Sequence, residues 1–284
     1  MSLLPLGWVR RVGSLVGALS WMFSSRMADT TKKNLAICFP ELSESERQLL
    51  GKRSVSSTFQ TITESGPAWL WDKEKVLDHV HEVEGLELLQ EIMTNGKGAI
   101  IIAPHIGNWE VFGLYLNCCG CGQSSQLYQA PRDRKLDKLI FNARSRAGAT
   151  MVATDNRGVA SLLKSLKSGE IVAILPDQVP NDAGGEFAPF FGKQVLTMTL
   201  VSRLIQKTGA SALVGMAVKY QAENRHGWKI IFSRPDDNIY AEHMPESLQG
   251  LNASVEAVVR KYPAEYQWEY KRFKRVPEGE KRPY

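Results

Sequence analysis

The segment whose residue types and spacing can do acid–base chemistry is Pro104-His105-Ile106-Gly107-Asn108-Trp109-Glu110. It follows Gly98-Ala-Ile-Ile-Ile-Ala103, a wholly apolar run of the kind buried in the middle of a sheet. On a continuous helix, residues five apart diverge by about 140°, so His105 and Glu110 would not share a face. They can meet if His105 stays on a strand-to-helix turn, Gly107 bends the chain, and Asn108 caps a helix whose first turn holds Glu110. The expectation is a general base with its orienter. His105 takes the proton of a hydroxyl attacking an acyl carbonyl, while Glu110 holds the tautomer and stabilises the charge on the imidazole. A structural histidine near a helix start has the same spacing. No serine nucleophile is required, and the chain has no Gly-x-Ser-x-Gly elbow, Walker loop, Gly-x-Gly-x-x-Gly or His-Glu-x-x-His.

The elements that must position this pair follow from periodicity. Ser43 and Glu46 form a capping-box pattern opening a helix that should run to about Gly66. Strands are expected at 80–83, 98–103, 125–129, 149–152, 171–175, 212–218 and 229–232. Helices should begin at Asn108 and cover 86–93, 136–147, 158–167, 197–208 and 248–262. Such alternation predicts an α/β fold: a central, mostly parallel sheet flanked by helices, with function at the carboxyl ends of its strands.

At 284 residues the chain is long enough for one large domain. The expected division is a membrane-associating helix over 1–30 and a single α/β domain over 31–284. Residues 12–25 are apolar but only about 14 long, short of the roughly 18–20 that a bilayer span requires. They lack the cleavage pattern of a signal peptide. Two readings remain: a helix lying in a membrane interface with Trp8, Trp21, Met22 and Phe23 inserted, or a plain helix packed on the domain. The net charge of +5 is mild, but Arg10, Arg11, Arg26, Lys32 and Lys33 gather at one end and Lys271, Arg272, Lys274 and Arg275 at the other. Such clusters suit headgroups, an acidic carrier protein or nucleic acid, or are an ordinary solvated surface. Cys118, Cys119 and Cys121 are too close in sequence to form a disulfide framework. Neither they nor His79 and His81 have the further ligands a metal would need.

Several motifs in order resemble the late acyltransferases of lipid A biosynthesis, the lauroyl and myristoyl transferases that carry a His-x4-Asp/Glu motif. They are Asn34-Leu-Ala-Ile-Cys-Phe-Pro-Glu41; His105 to Glu110; Arg144-Ser-Arg146-Ala-Gly148; Pro176-Asp177-Gln178 with Phe187, Pro189-Phe-Phe-Gly192 and Thr197; and Pro263-Ala-Glu-Tyr-Gln-Trp268 through Lys274. The resemblance covers nearly the whole chain. It implies an acyl group delivered on acyl carrier protein to a hydroxyl of an acylated disaccharide lipid, at the cytoplasmic face of the inner membrane. It implies no cofactor, no metal and no nucleic acid. It places Arg144 and Asp177 at functional positions. Arg144 can hold a phosphate, stabilise an oxyanion or form a plain salt bridge. Asp177 can orient Arg144 or the catalytic pair, or simply end a strand. Asn108 and Arg146 complete the expected substrate-binding or oxyanion-stabilising set. Trp109, Phe112, Leu114, Phe190 and Phe191 are candidates for the acyl groove or for the core. Many members carry a spanning helix ahead of the first basic cluster, and this chain is expected to begin after it and attach peripherally. Alternatives are transfer to another polar lipid (a lysophospholipid, an ornithine lipid or a mannosylated phosphoinositide), a lipid-binding module, and a thioester hydrolase.

Overall fold

Every apolar run expected to be a strand is one, in a computed structural model that describes residues 1–131, 133–181, 184–222 and 225–284. Three helices come first: α1 (Leu6–Met22), α2 (Arg26–Cys38) and α3 (Glu44–Leu70). The Ser43–Glu46 capping box opens α3, which runs past Gly66 and through Pro67. Sequence patterning misses α2, whose run Asp29-Thr-Thr31 has low helix propensity. It is started by Ser25, which accepts a hydrogen bond from the Ala28 amide. The division expected at residue 30 therefore falls inside a helix.

The alternating part follows: α4 (Lys73–Leu77), β1 (Val80–Glu84), α5 (Leu86–Thr94), β2 (Ala99–Ile102), α6 (Trp109–Cys118), β3 (Ser124–Tyr128), α7 (Arg134–Ser145), β4 (Thr150–Ala153), α8 (Asn156–Lys167) and β5 (Ile171–Ile174). A two-stranded antiparallel excursion, β6 (Gly185–Phe190) and β7 (Lys193–Met198), was not expected; it takes Thr197 out of the next helix, α9 (Leu200–Thr208). The chain ends with the hairpin β8 (Ser211–Ala222) and β9 (Arg225–Ser233), then α10 (Met244–Lys261).

The seven-stranded sheet has the order β1-β9-β8-β2-β5-β3-β4. Its five strands from β8 to β4 are parallel, and β9 with β1 runs the other way. This is the mostly parallel α/β sheet that alternation predicts. β2 lies at its centre and feeds two cores: Ile100 and Ile102 point into one cluster and Ala99 and Ile101 into the other. The Asn34 motif and the tail motif, far apart in sequence, meet: Asn34 Nδ2 donates to the carbonyls of Trp268 and Tyr270, and the Phe39 ring packs edge-on against Trp268.

Helix α1 lies against α3 with backbones in contact. A Cβ on Gly13 would sit 2.6 Å from Gln60 Cα, and one on Gly17 2.6 Å from Ser56 Cα. The opposite face of α1 exposes Trp8, Leu15, Leu19 and Met22, at helical spacing, and Phe23 follows them. Among the described residues no helix is long and apolar enough to cross a membrane. Gly13→Leu should force the two helices apart and cost about 1–3 kcal/mol, the usual range for overpacking. Leu15→Ala, on the exposed face, should stay within about 0.5 kcal/mol of the parent. Chemical denaturation of the two variants side by side measures the difference.

Candidate active site

The site is made by strand register. Strands β2 and β5 pair in parallel with Ile102 opposite Ile174. Each then continues with a small or apolar residue, a proline and a polar residue: Ala103-Pro104-His105 and Leu175-Pro176-Asp177. The ladder persists to the bond from the Ala103 amide to the Ile174 carbonyl, and proline, which has no N–H to donate, ends it on both strands. Equal offsets from a registered pair bring His105 beside Asp177 at the carboxyl end of the sheet.

The two residues are joined twice. His105 Nδ1 lies 2.8 Å from Asp177 Oδ1, and the His105 backbone N–H donates to Oδ2 at 2.9 Å. The carboxylate is buried. Burial opposes its charge, but the attraction of His105 and the hydrogen bonds from its ring and backbone outweigh that, holding the carboxyl below the usual range. An aspartate on Nδ1 selects the tautomer with the proton there and leaves a lone pair on Nε2. The Gln178 carboxamide faces Nε2 at 3.3 Å as a donor and gives a second N–H to Gln267 Oε1. Trp109 stands edge-on to the imidazole, with ring centroids 5.0 Å apart.

Glu110 is therefore not the orienter of His105, as spacing suggested. Its carboxylate is taken up by Arg144 on α7, with Nε to Oε2 at 2.9 Å and Nη2 to Oε1 at 2.6 Å. This bidentate pair joins α6 to α7 and keeps the guanidinium charged. A fully formed α6 turns Glu110 away from the histidine, which precedes the helix. Two further expectations are corrected. Asn108 is buried with both ends of its carboxamide engaged: Oδ1 caps the Val111 amide and Nδ2 donates to Glu64. Arg146 spends its amino groups on the carbonyls of Ala68, Trp69 and Trp71, capping the C-terminus of α3. Both side chains are taken up by the scaffold, at the start of α6 and the end of α3.

The connecting turn is gripped on every side. Gly107 has φ of +60°, and a Cβ there would lie 2.1 Å from the Ala217 carbonyl oxygen, so only glycine fits. The Gly107 amide donates to the Glu265 carbonyl, its own carbonyl accepts from Thr61 Oγ1, and the Asn108 amide donates to the Ala217 carbonyl. The Gln267 amide donates to the His105 carbonyl. The tail motif is thus the second wall of the site.

Of the acyl-groove candidates, Trp109 is partly exposed beside the histidine, whereas Phe112, Leu114, Phe190 and Phe191 belong to the core. Arg10 and Arg272 are buried, so they leave the basic surface clusters. His79 and His81 each bond to a backbone carbonyl, those of Lys75 and His226. Sequence reasoning missed Glu64 and did not separate Gln178 and Gln267 from their motifs. The parallel wording Ala-Pro-His and Leu-Pro-Asp after two buried strands was the available signal for the pairing of His105 with Asp177.

A family model described as bacterial lipid A biosynthesis acyltransferase matches residues 1–275. The chain belongs to that family. It is 26% identical over 270 residues to the lipid A biosynthesis palmitoleoyltransferase of Escherichia coli (strain K12), covering 95% of this chain and 86% of that protein. The lauroyltransferase of the same organism is 25% identical over 280 residues, covering 97% of this chain and 88% of that protein. Its myristoyltransferase is 26% identical over 267 residues, with 92% and 81% covered. As a member of the lipid A acyltransferases, the protein is an acyl-transferring enzyme with a lipid acceptor.

The half-buried Glu269 adds a group that titrates in the wall of the site. Burial pushes its carboxyl up, although Thr58 donates to it. A carboxyl raised in the folded state costs stability as pH climbs from the usual glutamate value, about 4.3, through the raised one. Glu269→Gln should therefore raise the melting temperature at pH 7 to 8, with the gain shrinking on acidification and vanishing below about pH 4. Thermal scans of both proteins across pH read this directly.

Proposed function

We propose that the protein transfers a fatty acyl chain from acyl carrier protein to a hydroxyl of a lipid A precursor, at the cytoplasmic face of the inner membrane, with His105 as general base. The observation that carries this reading is the Asp177–His105 pair, which leaves an imidazole lone pair at the carboxyl end of the sheet. The acceptor hydroxyl comes to Nε2 in place of the Gln178 contact. Its oxygen attacks the thioester carbonyl as its proton passes to Nε2, and Asp177 stabilises the imidazolium. The tetrahedral oxyanion collapses, the C–S bond breaks, and the imidazolium returns the proton to the departing thiolate. Glu110 acts through Arg144. It holds the guanidinium so that the remaining amino group meets negative charge on the oxyanion or the acceptor.

The exposed row Trp8, Leu15, Leu19, Met22 and Phe23, with Arg11 stacked on Trp8 and Arg26 nearby in sequence, supports an α1 that lies in the membrane interface. An acyl donor on an acidic carrier then arrives at a basic surface, and its on-rate falls with salt.

The test supplies purified protein, in detergent and in anionic vesicles, with a series of acyl chains on acyl carrier protein and with acyl coenzyme A. The acceptor is a lipid A precursor with a free hydroxyl, and its mass is followed. One added acyl mass from the carrier-bound donor supports the proposal. No transfer to that acceptor, with transfer to a lysophospholipid or ornithine lipid instead, overturns the acceptor assignment. Asp177→Asn should lower kcat by about 10³-fold or more, as loss of the tautomer-setting carboxylate does in a comparable pair. Glu110→Gln and Arg144→Lys should give similar, smaller losses that do not add in the double variant, because each breaks the same pair.

A further inference from the structure

Helix α3 carries a buried polar stripe at helical spacing: Ser54, Ser57, Thr61 and Glu64. Its first three members meet the walls of the site. Ser54 Oγ donates to the Tyr266 carbonyl, Ser57 accepts from Lys219 Nζ, and Thr61 Oγ1 donates to the Gly107 carbonyl. Glu64, fully buried, takes no part in the chemistry derived above. Its Oε1 receives Arg10 Nε at 2.6 Å. Its Oε2 receives Asn108 Nδ2 at 2.9 Å and Trp228 Nε1 at 3.0 Å. Arg10 Nη1 and Nη2 donate to the carbonyls of Tyr220 and Gly227, which face each other across β8 and β9. One carboxylate thus joins α1, α3, the sheet and the cap of the helix that follows His105.

Stability alone is a poor reason to bury such a group, since well-packed apolar replacements of buried ion pairs are often neutral or better. Geometry is a better one. Asn108 has four polar contacts to satisfy around a residue that is both the end of the catalytic turn and the N-cap of α6; Glu64 fixes which end of its carboxamide caps Val111. We propose that Glu64 is a positioning residue for acyl transfer: by accepting the Asn108 carboxamide at Oε2, it sets the turn that bears His105 and the helix start that bears Glu110. This rests on the reading of His105 as the base.

Two double variants separate positioning from stability. Arg10→Met with Glu64→Gln removes the ion pair but leaves a carbonyl oxygen for Asn108 and Trp228. Arg10→Met with Glu64→Leu removes both. The first should keep kcat within about 5-fold of the parent. The second should lose about 100-fold in kcat, the scale of a misplacement near 1 Å, with KM for the acyl donor unchanged and a similar melting temperature. Asn108→Ala should cost little more in the second background. Equal kcat in the two double variants, or losses that merely follow the melting temperature, would overturn the proposal. If the leucine variant does not fold, Glu64→Asp decides. Its shorter carboxylate should lower kcat without raising KM at a temperature where the protein is folded, and an unchanged kcat would count against positioning. His105→Ala is run throughout: activity surviving in it would refute the reading of the site itself, whereas its loss beside indifferent Glu64 variants would refute this inference alone.

Discussion

The pairing of His105 with Asp177 depends on two adjacent strands staying in parallel register, and the rest of the molecule is arranged around that requirement. A slip of β2 by one residue against β5 would turn His105 to the other face, away from Asp177, and send Ile100 and Ile102 into the wrong core. The register is protected by burial on both faces of β2, β5 and the neighbouring β8. Beyond the last registered pair each chain has a proline, so neither backbone can continue the ladder. Asp177 then receives the backbone N–H of His105 as well as its ring, and the orientation of the imidazole is fixed by the fold.

The turn from His105 to Asn108 is bonded to the tail segment, to β8 and to α3, and α3 is in turn clamped to α1 by glycine-lined backbone contact. Helix α1 therefore has two different faces at work. Its exposed apolar side suits a lipid surface, and its inner side puts Arg10 into the network that ends at the cap of α6. A long helix with a stripe of serine, threonine and glutamate would be poor as a core element. Here the stripe is bonded to the turn that carries His105, to its cap and to the tail segment.

The centre of the sheet was legible because β2 and β5 are short, wholly apolar runs between helix signals, too short to be helices. The long α3 was legible from its capping box. The helix α2 was not, since its sequence is polar and its stability comes from packing Ala28, Leu35 and Cys38 inward. Nor was the β6–β7 hairpin, whose Gly185-Glu-Phe-Ala-Pro-Phe190 strand contains the proline and glycine that usually argue against strand structure. At the site, His105 and Glu110 were found by type and spacing, but which carboxylate serves the imidazole depends on pairing between segments 72 residues apart. Spacing within one turn carries no such information. Glu64 and Arg10 were invisible for the same reason: each looks like an ordinary surface residue until tertiary packing buries it.

The most direct test of this account is the tautomer of His105. Nitrogen NMR of protein labelled at its five histidines, with His105→Gln used to assign the ring, reads which nitrogen holds the proton. The predicted result, for the neutral imidazole, is a proton on Nδ1 and a bare Nε2, a pattern lost in Asp177→Asn and kept in Glu110→Gln. A proton on Nε2, or a pattern that survives without Asp177 and vanishes without Glu110, would contradict the account.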